Sequence, residues 1–207
     1  MSTVLFVKAN DRGDQAVSVK LYESFLASYK ASHPQDNVVE LDLFKEELPY
    51  MNADMINGNF KAARGFDLTP AEQAQVAVAA KYIDQFLAAD KVVFGFPLWN
   101  LTIPAVLHTY IDYIYQAGKT FKYTENGPVG LIPDKKVALL NARGGVYSEG
   151  PAAAAEMSLN YVKNIMNFFG ATNITEVIAE GHNQFADRAE AIVAEGVAAA
   201  AKAAESF

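Results

Sequence analysis

The stretch Val92-Val93-Phe94-Gly95-Phe96, followed at once by Pro97-Leu98-Trp99-Asn100-Leu101-Thr102-Ile103-Pro104, decides how the rest of the chain is read. A run of apolar and small residues with no polar alternation describes a strand covered on both faces, the mark of a parallel sheet. Two prolines bound the loop that follows and stiffen it, and it holds the only tryptophan of the chain. Outward from it, similar runs stand at Val4-Leu5-Phe6-Val7, Val137-Ala138-Leu139-Leu140 and Val177-Ile178-Ala179. Val38-Val39-Glu40-Leu41-Asp42-Leu43 alternates instead, which suits an edge strand with one wetter face.

Amphipathic stretches separate these runs. From Ser18 to about Ala31, Leu21, Phe25 and Leu26 share one stripe ahead of Pro34, with Ser18 the expected N-cap. Thr69-Pro70-Ala71-Glu72 is a sharper start signal, a capping box with proline in the first helical position, for a helix reaching about Ala89. Further helices are predicted at about 103–116, 152–169 and 186–203. Strands alternating with helices predict an α/β fold over residues 1–207 as one domain: a doubly wound five-stranded parallel sheet with helices on both faces.

Two segments interrupt that pattern. The excursion at about 44–68 carries Tyr50, Met51, Met55, Ile56 and Phe60, and either caps a site, packs on another subunit or holds a short extra helix. Phe121 to Pro128 contains an Asn126-Gly127 turn and is expected as a small excursion on the carboxyl-end side of the sheet. The 103–116 helix shows Val106, Tyr110 and Tyr113 on one face and Leu107, Ile111 and Tyr115 on another. One face suffices for a sheet, so the surplus predicts an isologous dimer.

Composition narrows the chemistry. The 207 residues are 51% hydrophobic and 20% charged, enough to bury roughly 70% of the unfolded surface. With no cysteine, disulfides, thiolate metal sites and cysteine nucleophiles are excluded. A net charge of -7 and a pI near 5.0 speak against general nucleic-acid binding, which needs a basic surface. The Val4–Val7 run is too short for a signal sequence or a membrane span, so a cytoplasmic protein is expected. His33, His108 and His182 are dispersed and predict no metal site; no Gly-x-Ser-x-Gly elbow points to acyl transfer.

Ligands of open α/β sheets bind beyond the carboxyl ends of the strands, where the strand order reverses. After the first run comes Ala9-Asn10-Asp11-Arg12-Gly13-Asp14-Gln15-Ala16-Val17-Ser18, either a plain loop or an anion cradle at a helix start. It has neither the Walker ending nor a Gly-x-Gly-x-x-Gly fingerprint. Trp99 serves either as core packing or as a ligand platform. Asn141-Ala142-Arg143-Gly144-Gly145-Val146-Tyr147 pairs two glycines, which let backbone approach a flat ligand closely. Glu180-Gly181-His182-Asn183-Gln184 ends the last run on the same side, so His182 or Asn183 is a candidate border. Together these loops indicate a phosphate-bearing cofactor across the switch point.

The segments Phe96 to Asn100, Gly118 to Leu131 and Ala142-Arg143-Gly144-Gly145 closely resemble those of the FMN-dependent NADH:azoreductases, which belong to the flavodoxin-like quinone oxidoreductases. The similarity extends from the first strand to the last helix. It implies a flavodoxin-like homodimer with shared active sites, binding FMN non-covalently and using NADH to reduce quinones and aromatic azo compounds by a ping-pong route. By the same resemblance, Val17 and Ser18 bind the phosphate, joined by Asn10, which stands where many relatives carry serine. Pro97, Leu98, Trp99, Asn100 and Leu101 line one side of the flavin; Ala142, Arg143, Gly144 and Gly145 line the other, with Tyr147 at the border. Phe121 and Tyr123 are expected over the substrate side with Asn183, and Phe168 is expected to reach the partner's flavin. No catalytic side chain is implied, because the flavin carries the chemistry. A flavodoxin-type electron carrier and a flavin-free assembly module are the rival readings.

Overall fold

Val4, Leu5, Phe6 and Val7 are wholly buried, as are Val92, Val93, Phe94 and Phe96 and Val137 to Leu140. Strands sealed this completely need a layer of helices on each face. The computed structural model describes all residues, Met1–Phe207, in the order β1 (Thr3–Lys8), α1 (Val17–Ser32), β2 (Asn37–Asp42), α2 (Ala53–Ala62), α3 (Pro70–Ala88), β3 (Lys91–Pro97), α4 (Ala105–Ile114), β4 (Phe121–Thr124), β5 (Gly127–Gly130), β6 (Lys136–Arg143), α5 (Leu159–Phe168), β7 (Ile174–Glu180) and α6 (Ala189–Glu205). The parallel sheet has the order β2-β1-β3-β6-β7. The alternating run is indeed the edge strand β2, whose exposed Glu40 meets Lys30 in water. No helix is long and apolar enough to cross a membrane.

α1 and α6 cover one face, where Leu21, Phe25 and Tyr29 pack with Phe6, Ala200 and Phe207. The other face carries the larger core, shared by α3, α4 and α5. The capping box forms as read: Glu72 N–H donates to Thr69 Oγ1, and Thr69 N–H donates to Glu72 Oε2 at 2.8 Å. Glu72 also takes Lys61 Nζ at 2.6 Å, which fastens α2 to the first turn of α3. The 44–68 excursion therefore holds a short extra helix, capped by Asn52, with Met55 buried beneath it and Tyr50, Phe60 and Phe66 exposed.

Several expectations change. Ser18 is not the N-cap: α1 starts at Val17 with Ala16 before it, and the Ser18 hydroxyl accepts a hydrogen bond from Asn10 Nδ2 instead. The 103–116 helix shortens to 105–114, with Pro104 at its N-cap. The helix expected from 152 begins only at Leu159, because the Glu156 carboxylate accepts the amides of Ser158, Leu159 and Asn160 and so fixes a new start. An acceptor at that point stabilises a helix terminus more than continuing the alanine run would.

The hairpin β4–β5 lies at the amino-end side of the sheet, not the carboxyl end. α4 carries the chain back across the sheet before the hairpin forms, and Ile132 N–H then donates to Phe169 O at the far end of α5. Gly130 is required there, since a Cβ would stand 2.2 Å from the Phe169 and Gly170 backbone. Much of the apolar surface of α4 is used inside the chain. Tyr110 packs edge-on against Tyr82 and Phe94, while Tyr113 stacks on Tyr82 and donates its hydroxyl to Pro49 O. On the other face Leu107 and Ile111 are buried too, while Tyr115 stays 38% exposed beside Phe168.

The Tyr110 hydroxyl is buried and has no hydrogen-bond partner. Tyr110→Phe should therefore raise unfolding stability by about 1 kcal/mol. A lowered urea midpoint would show that the hydroxyl is satisfied after all.

Candidate active site

The strand order reverses between β1 and β3, which are neighbours in the sheet while their connections leave in opposite directions. At the end of β1, Asn10 and Ser18 are both buried and joined at 2.9 Å. Asn10 Oδ1 accepts from Arg12 N–H and turns the loop toward the helix. The amides of Val17 and Ser18 head α1 with no acceptor in the chain, and the Ser18 hydroxyl keeps its own proton to donate. Free N–H groups at a helix start are a ready anion site.

At the end of β3 the chain makes a two-residue hairpin. Trp99 and Thr102 exchange both backbone hydrogen bonds, at 2.9 and 3.0 Å, around Asn100 and Leu101, whose φ angles are 50° and 70°. Two left-handed residues in succession form a turn of type I′ character, natural for asparagine but strained by roughly 1 kcal/mol or more for leucine. Its supports are Leu98 N–H on Ala142 O and Met157 N–H on Leu101 O. Trp99, half-buried beside the turn, packs edge-on against Phe44 at 6.3 Å.

At the end of β6, Gly144 O accepts the amides of Asn183 and Gln184, and Val146 N–H donates to Gln184 Oε1. The loops after β6 and β7 are thus laced together. A Cβ on Gly144 would lie 2.5 Å from Asn183 Nδ2, so any other residue there would push the Asn183 carboxamide aside. Between this pair of loops and the type I′ turn lies a cleft of about 510 Å³, lined by Leu98, Asn100, Leu101, Gly144, Gly145, Tyr147, Asn183 and Gln184. That volume suits a small molecule. The amides of Asn100, Leu101, Gly144 and Gly145 have no acceptor within the chain.

Beneath the cleft lies a buried polar cluster. Arg143, 3% exposed, directs Nε to Asn141 Oδ1 at 2.7 Å and Nη1 to Glu180 Oε2 at 3.3 Å, with Nη2 3.9 Å from Glu156 Oε1. Glu180 Oε2 also accepts the amides of Tyr147 and Ser148. Burial alone would raise both carboxyls, but the hydrogen bonds to Ser158, Asn160 and Leu159 hold Glu156 below the ordinary range, and those of Ser148 and Tyr147 with the Arg143 charge do so for Glu180.

Of the residues singled out from sequence, Leu98, Asn100, Leu101, Gly144, Gly145, Tyr147 and Asn183 meet in this cleft. Asn10, Val17 and Ser18 stand together one strand away, at the end of β1. Pro97 and Ala142 are paired strand ends below the lining, and the Arg143 side chain points into the buried cluster rather than the cleft. Phe121, Tyr123 and Phe168 gather elsewhere: Phe121 lies 4.9 Å from Phe168 and 5.4 Å from Tyr123, beside Tyr115 at the amino-end side. His182 does not line the cleft, and burial lowers its pKa, which favours the neutral ring. Sequence reasoning missed Gln184, for which its place after the last strand was the available signal. Glu156 and Glu180 were also missed; inside an alanine-rich segment and at the tip of an apolar strand, neither gave one.

A family model described as flavodoxin-like fold matches residues 2–204. A Bacillus cereus protein named FMN-dependent NADH:quinone oxidoreductase 4 is 72% identical over 208 residues, covering 100% of both chains. A crystal structure of azoreductase from Bacillus anthracis str. Sterne superposes with a TM-score of 0.98 at 71% identity, also covering 100% of each chain. An FMN-dependent NADH-azoreductase from Bacillus anthracis, solved in complex with FMN, matches with a TM-score of 0.87 at 30% identity, over 99% of this chain and 100% of that one. The chain belongs to the flavodoxin-like family, and within it to the group of FMN-dependent NADH:quinone oxidoreductases.

The depressed carboxyl of Glu156 has a thermodynamic consequence. A carboxyl held low in the folded state contributes stability above the unfolded value, about 4.3, and loses it as pH falls through the folded value. Glu156→Gln should lower the urea midpoint at pH 7, and the gap to the parent should narrow in acid. An equal gap at both pH values would contradict the assignment.

Proposed function

We propose that this protein is an FMN-dependent oxidoreductase that takes electrons from NADH and delivers them to quinones and aromatic azo compounds, working as a homodimer with shared active sites in the cytoplasm, where NADH is at hand. The observation that carries the reading is the donor set of the cleft. Four unpartnered amides, those of Asn100, Leu101, Gly144 and Gly145, share one cavity with carboxamides and a phenol and with no carboxylate, lysine, arginine or histidine in its lining. Such a site can hold the polar edge of a flat heterocycle but supplies no strong acid or base of its own. These residues fit FMN, whose phosphate has a separate place at the Val17 and Ser18 amides.

FMN, when bound, supplies the redox chemistry, accepting two electrons from the nicotinamide and returning them to the acceptor. The chain's own part is binding and orientation. Val17 and Ser18 donate amides to the phosphate from the positive end of α1, with the Ser18 hydroxyl beside them. That local field lets an acidic protein hold an anion. The amides of the type I′ turn and of the glycine pair are fixed before anything binds, so donors facing the ring need little reorganisation. Leu98 and Tyr147 supply apolar wall, and Asn183 and Gln184 close the rim.

Phe121, Tyr123 and Phe168 belong to the second half of the proposal. They are gathered away from their own chain's cleft, and Tyr123 is 72% exposed. In a two-fold pair this aromatic group would wall the site of the partner, with the same arrangement returned.

The purified protein should be yellow or turn yellow with added FMN, and should oxidise NADH rapidly with menadione or an azo dye. Background rates with both acceptors would instead favour an electron carrier. Ser18→Ala should weaken FMN binding by about fivefold to tenfold, the loss of one hydrogen bond to a charged group, and Gly144→Val should weaken it more. Unchanged retention in Gly144→Val would remove that loop from the site. Inactive Gly144→Val and Tyr123→Ala proteins, unfolded and refolded together, should regain roughly a quarter of parental activity through mixed pairs. No recovery, or a mass of one chain in gel filtration, would defeat the shared site.

A further inference from the structure

The cofactor contacts leave one charged cluster unused. Arg143 is a fully ionised group stripped of water, and such a group persists only where partners compensate it. Its three partners, Asn141, Glu156 and Glu180, are each committed to a different piece of backbone around the cleft. Glu180 holds the amides of Tyr147 and Ser148, at 2.9 and 3.1 Å, in the loop that begins with the glycine pair. Glu156 holds the start of α5, and the neighbouring Met157 exchanges hydrogen bonds with the type I′ turn, donating its amide to Leu101 O and accepting from Thr102 Oγ1 at 3.2 Å. Asn141 Nδ2 reaches Phe96 O at 3.2 Å, on the strand that leads into that turn, and Ser158 Oγ at 3.3 Å.

Both segments that bear the free amides of the cleft are thus tied to one side chain. Its planar fork hydrogen-bonds Asn141 and Glu180 in fixed directions while its charge lies 3.9 Å from Glu156, an arrangement an ammonium cannot match. We infer that Arg143 is a positioning residue for the oxidoreductase reaction: through Glu180 and Glu156 it sets the spacing between the Gly144–Gly145 amides and the Asn100–Leu101 amides across the cleft. The inference rests on the flavin reading above for its consequence, though the clamp itself is a property of the chain. A charge of one cation against two carboxylates is completed by the amides at the head of α5, which face Glu156.

The test compares Glu180→Ala, Glu180→Gln and Arg143→Lys, with Lys163→Met as a control that breaks only the Lys163–Glu176 pair outside the cluster. Hydrogen exchange is first followed in FMN-free protein at Tyr147 and Ser148. Exchange there should be about tenfold or more faster in Glu180→Ala, nearer the parent in Glu180→Gln, which keeps an acceptor oxygen, and unchanged in the control. FMN affinity by fluorescence quenching should fall about tenfold in Glu180→Ala and in Arg143→Lys, with Glu180→Gln recovering most of the loss. If Arg143→Lys does not fold, the two Glu180 variants decide alone. Parental exchange and affinity in Glu180→Ala would overturn the inference, as would equal changes in the control. A parent that takes up no FMN would sink the flavin reading, while the exchange data would still judge the clamp.

Discussion

A parallel sheet sealed on both faces leaves its backbone only one place to be irregular. Within the inner strands the amides are claimed by the ladder, and within the helices by the preceding turn. What remains unclaimed is concentrated where strands stop and helices begin, at the carboxyl ends of β1, β3, β6 and β7. The free amides of Val17, Ser18, Asn100, Leu101, Gly144 and Gly145 are therefore a by-product of the topology before they are a binding site. The sequence refines this endowment with a glycine pair that lets two loops touch and an asparagine that tolerates a left-handed turn.

Loose ends of backbone need fixing if they are to recognise anything, and here the fixing is polar and buried. Asn141, Glu156 and Glu180 gather around Arg143 below the cleft and hydrogen-bond to backbone on three sides of it. An apolar core could not do this, because it offers no direction to an amide. The cluster also explains why leucine is tolerated at a strained position: Leu101 O receives the Met157 amide, next to the residue that fixes the start of α5.

The layered fold was legible because the apolar runs are long, uninterrupted and evenly separated by helical stripes, and Thr69-Pro70-Ala71-Glu72 marked its helix start to the residue. The cleft was legible as loops at strand ends, since topology alone places them there. What stayed hidden depended on side-chain acceptors. The alanine run masked the acceptor that Glu156 offers to the amides of Ser158, Leu159 and Asn160, and only the distant Glu180 and Glu156 turn the Arg143 side chain inward instead of toward the flavin. The hairpin was placed at the wrong end for another reason: its own turn signal describes shape, whereas its position follows from the distance α4 travels back across the sheet.

Glu72 is engaged twice. One carboxylate both caps α3 and anchors Lys61 of α2, so the excursion is latched to a helix terminus rather than merely resting on a surface. Whatever loosens the first turn of α3 therefore also loosens the anchor of α2. The exposed apolar residues carried there, Tyr50, Ile56, Phe60 and Phe66, are presented on an element that moves only as far as its neighbour unwinds.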